Sequence, residues 1–226
     1  WSDGNNTIKE MADKAEELDY KYLAITDHGS QNGGIYNALD EKRIKKQWKE
    51  IDKVNKKSKV KLLKGSEIDI LRDGSLSLPD EILEKLDVVI ASVHSGFKMS
   101  EKEMTERILK SMENKNVNII GHPTGRVLRK REGYKVDLDR IIEKASEKGI
   151  ALEANASPRI DLNDTKIKKA KEKGAKISIG TDSHDKGNAE YLDVGVGQAR
   201  RAWCENGDIL NAWNLTKLRK FLKRTN

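Results

Sequence analysis

The feature that most constrains the fold is a repeated alternation between short runs rich in β-branched residues and longer amphipathic stretches. Six such short runs occur along the chain, and they read KYLAIT, VKLLKGSEIDI, DVVIASVHS, VNIIGHP, GIALEANAS and KISIGTDSH. Runs of this kind predict strands, and strands that alternate with helices predict parallel βαβ units. We therefore expect an α/β fold in which helices cover a parallel sheet or barrel.

Two of the amphipathic stretches carry explicit helix signals. In the first, the apolar residues Ile8, Met11, Ala12, Ala15 and Leu18 follow a helical period. Thr7 and Glu10 are spaced as a capping box at its start. In the second, the apolar residues are Leu138, Ile141, Ile142 and Ala145, and Gly149 follows them. Both stretches predict helices on the outside of the sheet.

Length and composition are those of one compact domain with a charged exterior. The chain has 226 residues, of which 36% are hydrophobic and 36% charged. A single domain of this size can bury a substantial core. Because we find no linker rich in Gly, Pro or Ser, we expect one domain over residues 1–226.

No stretch of the sequence resembles a membrane span or a signal peptide, so we expect a soluble, cytoplasmic protein. Cys204 is the only cysteine. A single cysteine excludes both an internal disulfide and a zinc site built from several thiolates.

The charge of the chain permits an anionic partner without specifying one. The formal net charge is +7, from 44 basic and 37 acidic residues. A Lys-rich stretch, residues 42–61, is interrupted at helical spacing by Ile44, Trp48, Ile51 and Val54. This spacing favours the solvated face of an amphipathic helix, and a nucleic-acid-binding groove is the alternative.

Polar residues that can bind metals follow the predicted strands. All four histidines of the chain lie at carboxyl ends of these strands, and carboxylates lie there too: His28, Glu67, His94, His122, Asp182 and His184. The carboxyl ends of parallel strands converge on one mouth, where the catalytic residues of such folds lie. Asp182 and His184 are two residues apart, so they point to the same side of their strand. We therefore predict a metal cluster at this mouth.

Imidazole and carboxylate ligands without thiolates suit zinc, manganese or iron. Two or three divalent ions bridged by carboxylates lower the pKa of bound water and neutralise charge on a phosphoryl group. The sequence thus predicts a metal-dependent phosphoesterase that uses water as the nucleophile, with Glu67, His94, Asp182 and His184 as its catalytic residues.

Several motifs in their order resemble one known family. These are WSDG near the start, ITDH, GSEIDI, SVHS, GHPTGR, ALEANASP and GTDSH, followed by VGVGQARRAW and ILNAWNLTKLRKFL. Together they resemble the PHP (polymerase and histidinol phosphatase) domain, in the version found at the carboxyl terminus of bacterial and archaeal family X DNA polymerases. The resemblance covers essentially the whole chain and implies a distorted seven-stranded (β/α) TIM-like barrel with a trinuclear metal centre.

The resemblance also implies a ligand set. Glu67, His94 and His122 would hold one metal, Glu67 would bridge to a neighbour held with Asp182, and Asp3, His28 and His184 would hold the third. The family pattern places a strand that ends in H-x-H just before the WSDG segment. Because this sequence begins at Trp1, we expect the first strand of the barrel to be missing or truncated here.

For the reaction, the resemblance implies hydrolysis of phosphoesters in DNA, such as 3′–5′ exonuclease, 3′-phosphatase or abasic-site cleavage, beside an upstream polymerase domain in the full-length protein. Basic residues in two loops could bind phosphate: Arg126, Arg129, Lys130 and Arg131 after His122, and Arg159 after the sixth run. A solvated loop is the alternative for the first group, and a salt bridge with Asp161 or Asp164 is the alternative for Arg159.

Two other functions stay open from the sequence. One is a small-molecule phosphatase of the histidinol-phosphate kind, and the other is a metal-poor module that only stabilises a polymerase.

Trp203 and Trp213 occupy helical positions, and we expect both to pack against the core.

Overall fold

The computed structural model describes residues 1–31 and 35–223, and in them helices and strands alternate along the chain. The strands are β1 (Tyr22–Ile25), β2 (His28–Gly29), β3 (Lys61–Asp69), β4 (Val88–Ser92), β5 (Ile119–Ile120), β6 (Ala151–Asn155) and β7 (Lys176–Gly180). The helices are α1 (Ile8–Glu17), α2 (Glu41–Asn55), α3 (Asp80–Leu83), α4 (Glu101–Ser111), α5 (Leu138–Lys148), α6 (Asp164–Glu172), α7 (Leu192–Arg201) and α8 (Leu215–Leu222). Short 3₁₀ helices span Ile35–Asn37, Lys186–Tyr191 and Leu210–Ala212.

The strands form one parallel sheet in the order β1-β3-β4-β5-β6-β7, with β2 also paired to β3. Each of the six predicted runs contains a strand, and β2 is an additional short one. The sheet curls into a half-barrel, and within the described ranges β1 and β7 do not pair with each other. The predicted α/β fold, in which helices cover a parallel sheet, is therefore confirmed.

The two faces of the sheet follow the strict alternation of side chains along each strand. On the concave face, one side chain from each of four neighbouring strands packs against α8: Leu63, Val88, Ile119 and Ala151 contact a cluster that includes Leu218 and Leu222. On the convex face, the intervening residues, among them Ile68 and Val89, pack under the outer helices. Helix α8 thus closes the amino-terminal end of the concave face and leaves the carboxyl end to polar side chains.

The helix signals in the sequence are borne out. Thr7 and Glu10 form the capping box of α1, and Gly149 ends α5 in the left-handed region with a φ of 62°. Helix α2 buries Ile44 and Ile51, as an amphipathic helix with a solvated lysine face should. No helix within residues 1–31 and 35–223 is long and apolar enough to cross a membrane.

One prediction about the aromatic residues is wrong. Trp213 is buried, as expected, but Trp203 is 73% exposed. The reason is that α7 ends at Arg201, and Trp203 adopts a left-handed φ of 59° that takes it off the helix.

Candidate metal centre

The carboxylate of Glu67 lies at the centre of the polar cluster at the mouth of the sheet. Its Oε1 atom is 3.0 Å from Nε2 of His122 and 3.3 Å from Nε2 of His94. Its Oε2 atom is 3.6 Å from Nδ1 of His28. One carboxylate from β3 therefore faces three imidazoles from three other parts of the chain.

The parallel sheet is what brings these groups together. His28 is the register partner of Glu67 in the β2–β3 pair. His94 and His122 each follow the last residue of their strand by two positions. The ring centroids of His28 and His94 are 4.9 Å apart, and those of His94 and His122 are 5.2 Å apart. All three histidines are at most 9% exposed.

A second group lies beside the first and shares His28 with it. Asp3, His28 and His184 each offer one ligand atom, and these atoms lie within 4.8 Å of one another. Nε2 of His184 is 3.3 Å from the Asp3 carboxylate. The first segment of the chain and the loop after β7 thus meet at the same mouth.

The residues present fit divalent cations. His28, Glu67 and His94 also have ligand atoms within 4.8 Å of one another. Nδ1 of His28 is buried and has no hydrogen-bond partner among the described residues, an arrangement that costs free energy unless another group satisfies the atom. Imidazole nitrogens and carboxylate oxygens are suitable ligands for zinc, manganese and iron.

Asp182, which we predicted as a ligand, has a different set of neighbours. Its Oδ2 atom accepts a 2.9 Å hydrogen bond from Nε of Arg159 and a 3.2 Å bond from the side chain of Asn155. Neither of the two groups of ligand atoms includes Asp182. The backbone carbonyl oxygen of Asp182 lies 2.9 Å from Nδ1 of His184.

The alternative interpretation of Arg159 is wrong, because its salt bridge is to neither Asp161 nor Asp164. Asp161 accepts two hydrogen bonds from Thr124, and Asp164 pairs with Arg201. Arg159 instead turns into the polar cluster toward Asp182.

Two of the site residues have unfavourable backbone conformations. His122 has a φ of 26° and Asp182 a φ of 50°. Left-handed values are uncommon for residues other than glycine and concentrate at functional sites. Both residues lie two positions after the last residue of their strand, at the mouth of the sheet.

The electrostatics of the cluster follow from the pairing of its charges. Burial opposes the charged form of Glu67, but hydrogen bonds from His122 and His94 outweigh it and hold the pKa of Glu67 well below its usual range. Burial likewise opposes the charged form of His94, but hydrogen bonds to Asp69 and Glu67 raise the pKa of His94 to about 9. For His184, the Asp182 and Asp3 groups overcome burial and raise its pKa.

Sequence reasoning missed Asp69, which accepts a 2.5 Å hydrogen bond from Nδ1 of His94. With Nδ1 bonded to Asp69, Nε2 is the atom of His94 that faces Glu67, and it could bind a cation once its own proton is lost. The signal was available in the sequence, because Glu67 and Asp69 are two residues apart on β3 and therefore point to the same side of the sheet.

Glu153 in the middle of β6 was also missed. Its Oε2 atom accepts a 2.7 Å hydrogen bond from the backbone nitrogen of His122. Burial, together with the nearby carboxylates of Asp182 and Glu67, raises the pKa of Glu153 to about 7, although His122 opposes the shift. A charged residue among the apolar residues of a buried strand was the available signal for a functional position.

Two glycines allow close packing around the cluster. A Cβ atom on Gly121 would lie 2.2 Å from Oγ of Ser92, and one on Gly180 would lie 2.0 Å from Oε1 of Glu153. Any side chain at Gly180 would therefore displace the Glu153 carboxylate, which supports His122.

The basic residues of the loop after His122 have two different kinds of surroundings. Arg126 donates to the backbone carbonyls of Arg159 and Ile160. Arg131 donates to the Gly125 carbonyl and lies 4.1 Å from the ring centroid of Phe97. These two guanidinium groups brace the loops around the mouth. Arg129 and Lys130 are exposed to solvent.

A cavity of about 810 Å³ opens on this cluster and runs along the concave face. Its lining includes Asp3, His28, Glu67, Glu153, Asp182 and His184 at one end and apolar residues of α8 at the other. The cavity gives a ligand access to the candidate metal-binding groups from the open side of the half-barrel.

Residues 1–157 match the PHP domain family, and the chain belongs to this family. Among curated proteins, it is 44% identical over 229 residues to the DNA polymerase/3′-5′ exonuclease PolX of Bacillus subtilis (strain 168). That match covers 99% of this chain but 40% of the relative, so the chain spans well under half the length of that protein. It is also 30% identical to a probable phosphatase of Thermoanaerobacter sp. (strain X514), covering 96% of this chain and 88% of the relative.

The fold is shared with a solved structure. Histidinol phosphate phosphatase from Lactococcus lactis subsp. lactis Il1403, complexed with zinc, L-histidinol and phosphate, superimposes with a TM-score of 0.71 at 19% identity, over 90% of each chain. At this level of identity the likeness supports the fold and carries no residue roles.

Proposed function

We propose that residues 1–226 form one metal-dependent phosphoesterase domain that hydrolyses phosphoester bonds at DNA ends, within a longer protein that also contains a polymerase portion. The observation that carries the proposal is the Glu67 carboxylate, which lies within 3.6 Å of imidazole nitrogens of three histidines. A buried group of this composition beside an open cavity is suited to holding divalent ions next to a substrate.

The proposed ligands fall into three sets. Glu67, His94 and His122 hold one ion, Glu67 and Asp182 hold its neighbour, and Asp3, His28 and His184 hold the third. Zinc, manganese or iron bound there would lower the pKa of water and neutralise charge on a phosphoryl oxygen. The proposed catalytic residues are Glu67, His94, Asp182 and His184.

Other residues of the chain orient these groups and the substrate. Asp69 fixes the ring of His94 through the bond to Nδ1. Asp182 holds Arg159 through Nε, and the Nη1 atom of Arg159 is buried without a hydrogen-bond partner among the described residues. Arg159 therefore carries a donor next to Asp182 that the described residues leave unsatisfied, which supports the phosphate-binding role that we proposed for it.

DNA is the substrate that two further observations favour. The relative with 44% identity is named as a DNA polymerase and 3′-5′ exonuclease. Arg129 and Lys130 are exposed on the loop that follows His122, where they can contact the backbone phosphates of a strand that enters the mouth. Arg126 and Arg131 contribute by holding that loop in place.

A small-molecule phosphatase is the second candidate, and one observation favours it. The match to the probable phosphatase of Thermoanaerobacter covers 88% of that protein, so it is a relative of nearly the same length. A compact phosphate monoester could enter the same cavity.

The test compares two substrates and two variants. Chelator-treated chain is reloaded with Mn²⁺ or Zn²⁺ and assayed on a 3′-recessed DNA duplex and on histidinol phosphate. We expect turnover of the DNA, its loss by orders of magnitude in His94→Ala, and unchanged turnover in Lys173→Ala, a surface variant at an exposed ion pair with Glu143. Turnover of histidinol phosphate alone would favour the second candidate. Absence of both activities together with absence of bound metal would identify a module without catalysis.

A further inference from the structure

Tyr36 is an exposed aromatic residue at the candidate metal centre. Its ring stacks on the ring of His28, with the centroids 4.7 Å apart and the planes at 22°. The same ring lies 5.6 Å from His94 in an edge-on arrangement. Even so, 47% of the residue stays accessible to solvent. Aromatic surface is therefore presented to solvent beside His28 instead of to the core.

The backbone of Tyr36 has a conformation that residues other than glycine rarely adopt. Tyr36 has a φ of 64° and Asn37 a φ of 53°, both in the left-handed region that glycine favours. Such conformations persist where the surroundings determine them, and they concentrate at functional sites.

The contacts that determine the conformation are made by Asn37. Its side chain donates a 2.8 Å hydrogen bond to the carbonyl of Ser2, and Arg43 donates a 2.8 Å bond to the Asn37 carbonyl. Ser2 in turn donates to Asp27, the residue before His28. The segment that carries Tyr36 is thus tied to the segments that carry Asp3 and His28.

An aromatic ring beside phosphate-binding groups matches the layout of a nucleotide. In a terminal nucleotide the base is joined through one sugar to the phosphodiester that a nuclease cuts. A strand whose phosphate lies at the histidines therefore places a base near a ring that borders them. Stacking of a base on an aromatic side chain tolerates every sequence, because each base has a π-face.

We propose that Tyr36 is the stacking platform for the base of the terminal nucleotide. This inference rests on the proposed phosphoesterase function and deepens it by naming the substrate class: DNA ends that carry a base, in preference to abasic ends and small phosphate monoesters. Tyr36 is thereby a specificity-determining residue that binds substrate and takes no part in the chemical step.

The test measures kcat/KM on two DNA strands that differ only at the 3′ end. One strand ends in a deoxyadenosine nucleotide, and the other ends in a tetrahydrofuran abasic residue. We expect Tyr36→Leu to lower kcat/KM for the adenine-bearing end by about 5- to 150-fold, the range that loss of base–aromatic stacking produces. Turnover of the abasic end should be unchanged. Tyr36→Phe keeps the ring and should behave as wild type on both ends.

Controls separate substrate stacking from support of the metal centre. If Tyr36→Leu lowers turnover of both ends equally, or lowers the metal content of the protein, the ring supports His28 and the inference is overturned. Trp203→Leu removes another exposed aromatic residue, which follows the end of α7, and both activities should be unchanged. If wild type cleaves neither DNA end, the proposed function fails, and the inference fails with it. If wild type and Tyr36→Leu turn over the adenine end equally, the inference alone is overturned.

Discussion

At the scale of single residues, the hydrogen bond between Asp69 and His94 makes a specific prediction about metal affinity. The Asp69 carboxylate lies 2.5 Å from Nδ1 of His94 and holds the proton there. In Asp69→Asn a neutral amide replaces the carboxylate, so the imidazole becomes a poorer ligand, and we expect metal affinity to fall by about 10- to 100-fold. Calorimetric titration of chelator-stripped protein with Mn²⁺ measures this.

A matched control for this variant is Asp73→Asn. Asp73 is an exposed carboxylate four residues further along, and its side chain accepts hydrogen bonds from Ser75. Its replacement should leave metal affinity unchanged. Equal affinities in wild type and Asp69→Asn would show that the contact between Asp69 and His94 does not tune the site.

Glu153 gives a prediction about pH and stability in the metal-free chain. Burial is the main cause that raises the pKa of Glu153 from 4.5 to about 7 in the folded state, and the charges of Asp182 and Glu67 add to it. The folded state therefore binds the proton more tightly than the unfolded state does. The resulting stabilisation is fully present below pH 4.5 and is lost as the pH rises through 7. We expect Glu153→Gln, which stays neutral, to gain roughly 1–3 kcal/mol relative to wild type between pH 4.5 and pH 8.

Urea unfolding in the presence of a chelator at several pH values measures this difference. Glu172→Gln, on the exposed face of α6, serves as the control and should show no such trend. Parallel stability curves for wild type and Glu153→Gln would mean that the Glu153 carboxylate is charged at pH 4.5 and above in the folded chain.

At the scale of elements, Arg107 of α4 joins the loops that follow β3 and β4. Arg107 is 2% exposed, and its guanidinium donates to the backbone carbonyls of Ile70, Leu71 and Ser95. Asp69 and His94 immediately precede these carbonyls in the chain. One buried side chain therefore fixes the relative position of two site residues.

We expect Arg107→Met to lower the free energy of unfolding by roughly 2–4 kcal/mol, because several buried carbonyls lose their donor. Urea denaturation provides the measurement. Arg140→Met is the control, since Arg140 makes an exposed ion pair with Glu106 that should contribute less than about 1 kcal/mol. A similar loss in both variants would refute the role of Arg107.

The sequence predicts the elements better than it predicts the contacts between them. Apolar periodicity located a strand in each of the six runs, because the pattern that buries a strand is local. It did not reveal β2, which has two residues and exists only through its pairing with β3. The partner of Arg159 was also beyond local reasoning, since Asp182 is 23 residues away and is brought close by the adjacent strands β6 and β7.

Of the candidate site, the histidines and carboxylates at strand ends were predictable because parallel topology fixes where strand ends meet. The stacking of Tyr36 on His28 was not, because it depends on a left-handed backbone that no local pattern near Tyr36 indicates. Residues that orient the ligands form an intermediate case: Asp69 shows a two-residue spacing from Glu67 that could have been used.

At the scale of the whole molecule, the concave face of the half-barrel combines two environments. Helix α8 packs against apolar residues at one end of the strands, and buried histidines and carboxylates occupy the other. The apolar end stabilises the fold, whereas the polar end holds buried imidazoles and carboxylates within a few ångströms of one another. Cations bound at the polar end would therefore stabilise the whole domain and not only the site.

This linkage predicts that metal removal lowers the melting temperature. An ion present at about 100 times its dissociation constant stabilises the folded state by about 2.7 kcal/mol. For a domain of this size that corresponds to a rise of about 5–10 °C in Tm.

We expect Tm, measured by calorimetry, to rise with Mn²⁺ or Zn²⁺ concentration in the wild-type chain. The Tm of His94→Ala should respond much less, because its first set of metal ligands is incomplete. A Tm that does not depend on metal concentration, or an equal response of His94→Ala, would show that the Glu67 cluster is held together by its own hydrogen bonds. The buried imidazoles and carboxylates would then be a structural ion-pair network.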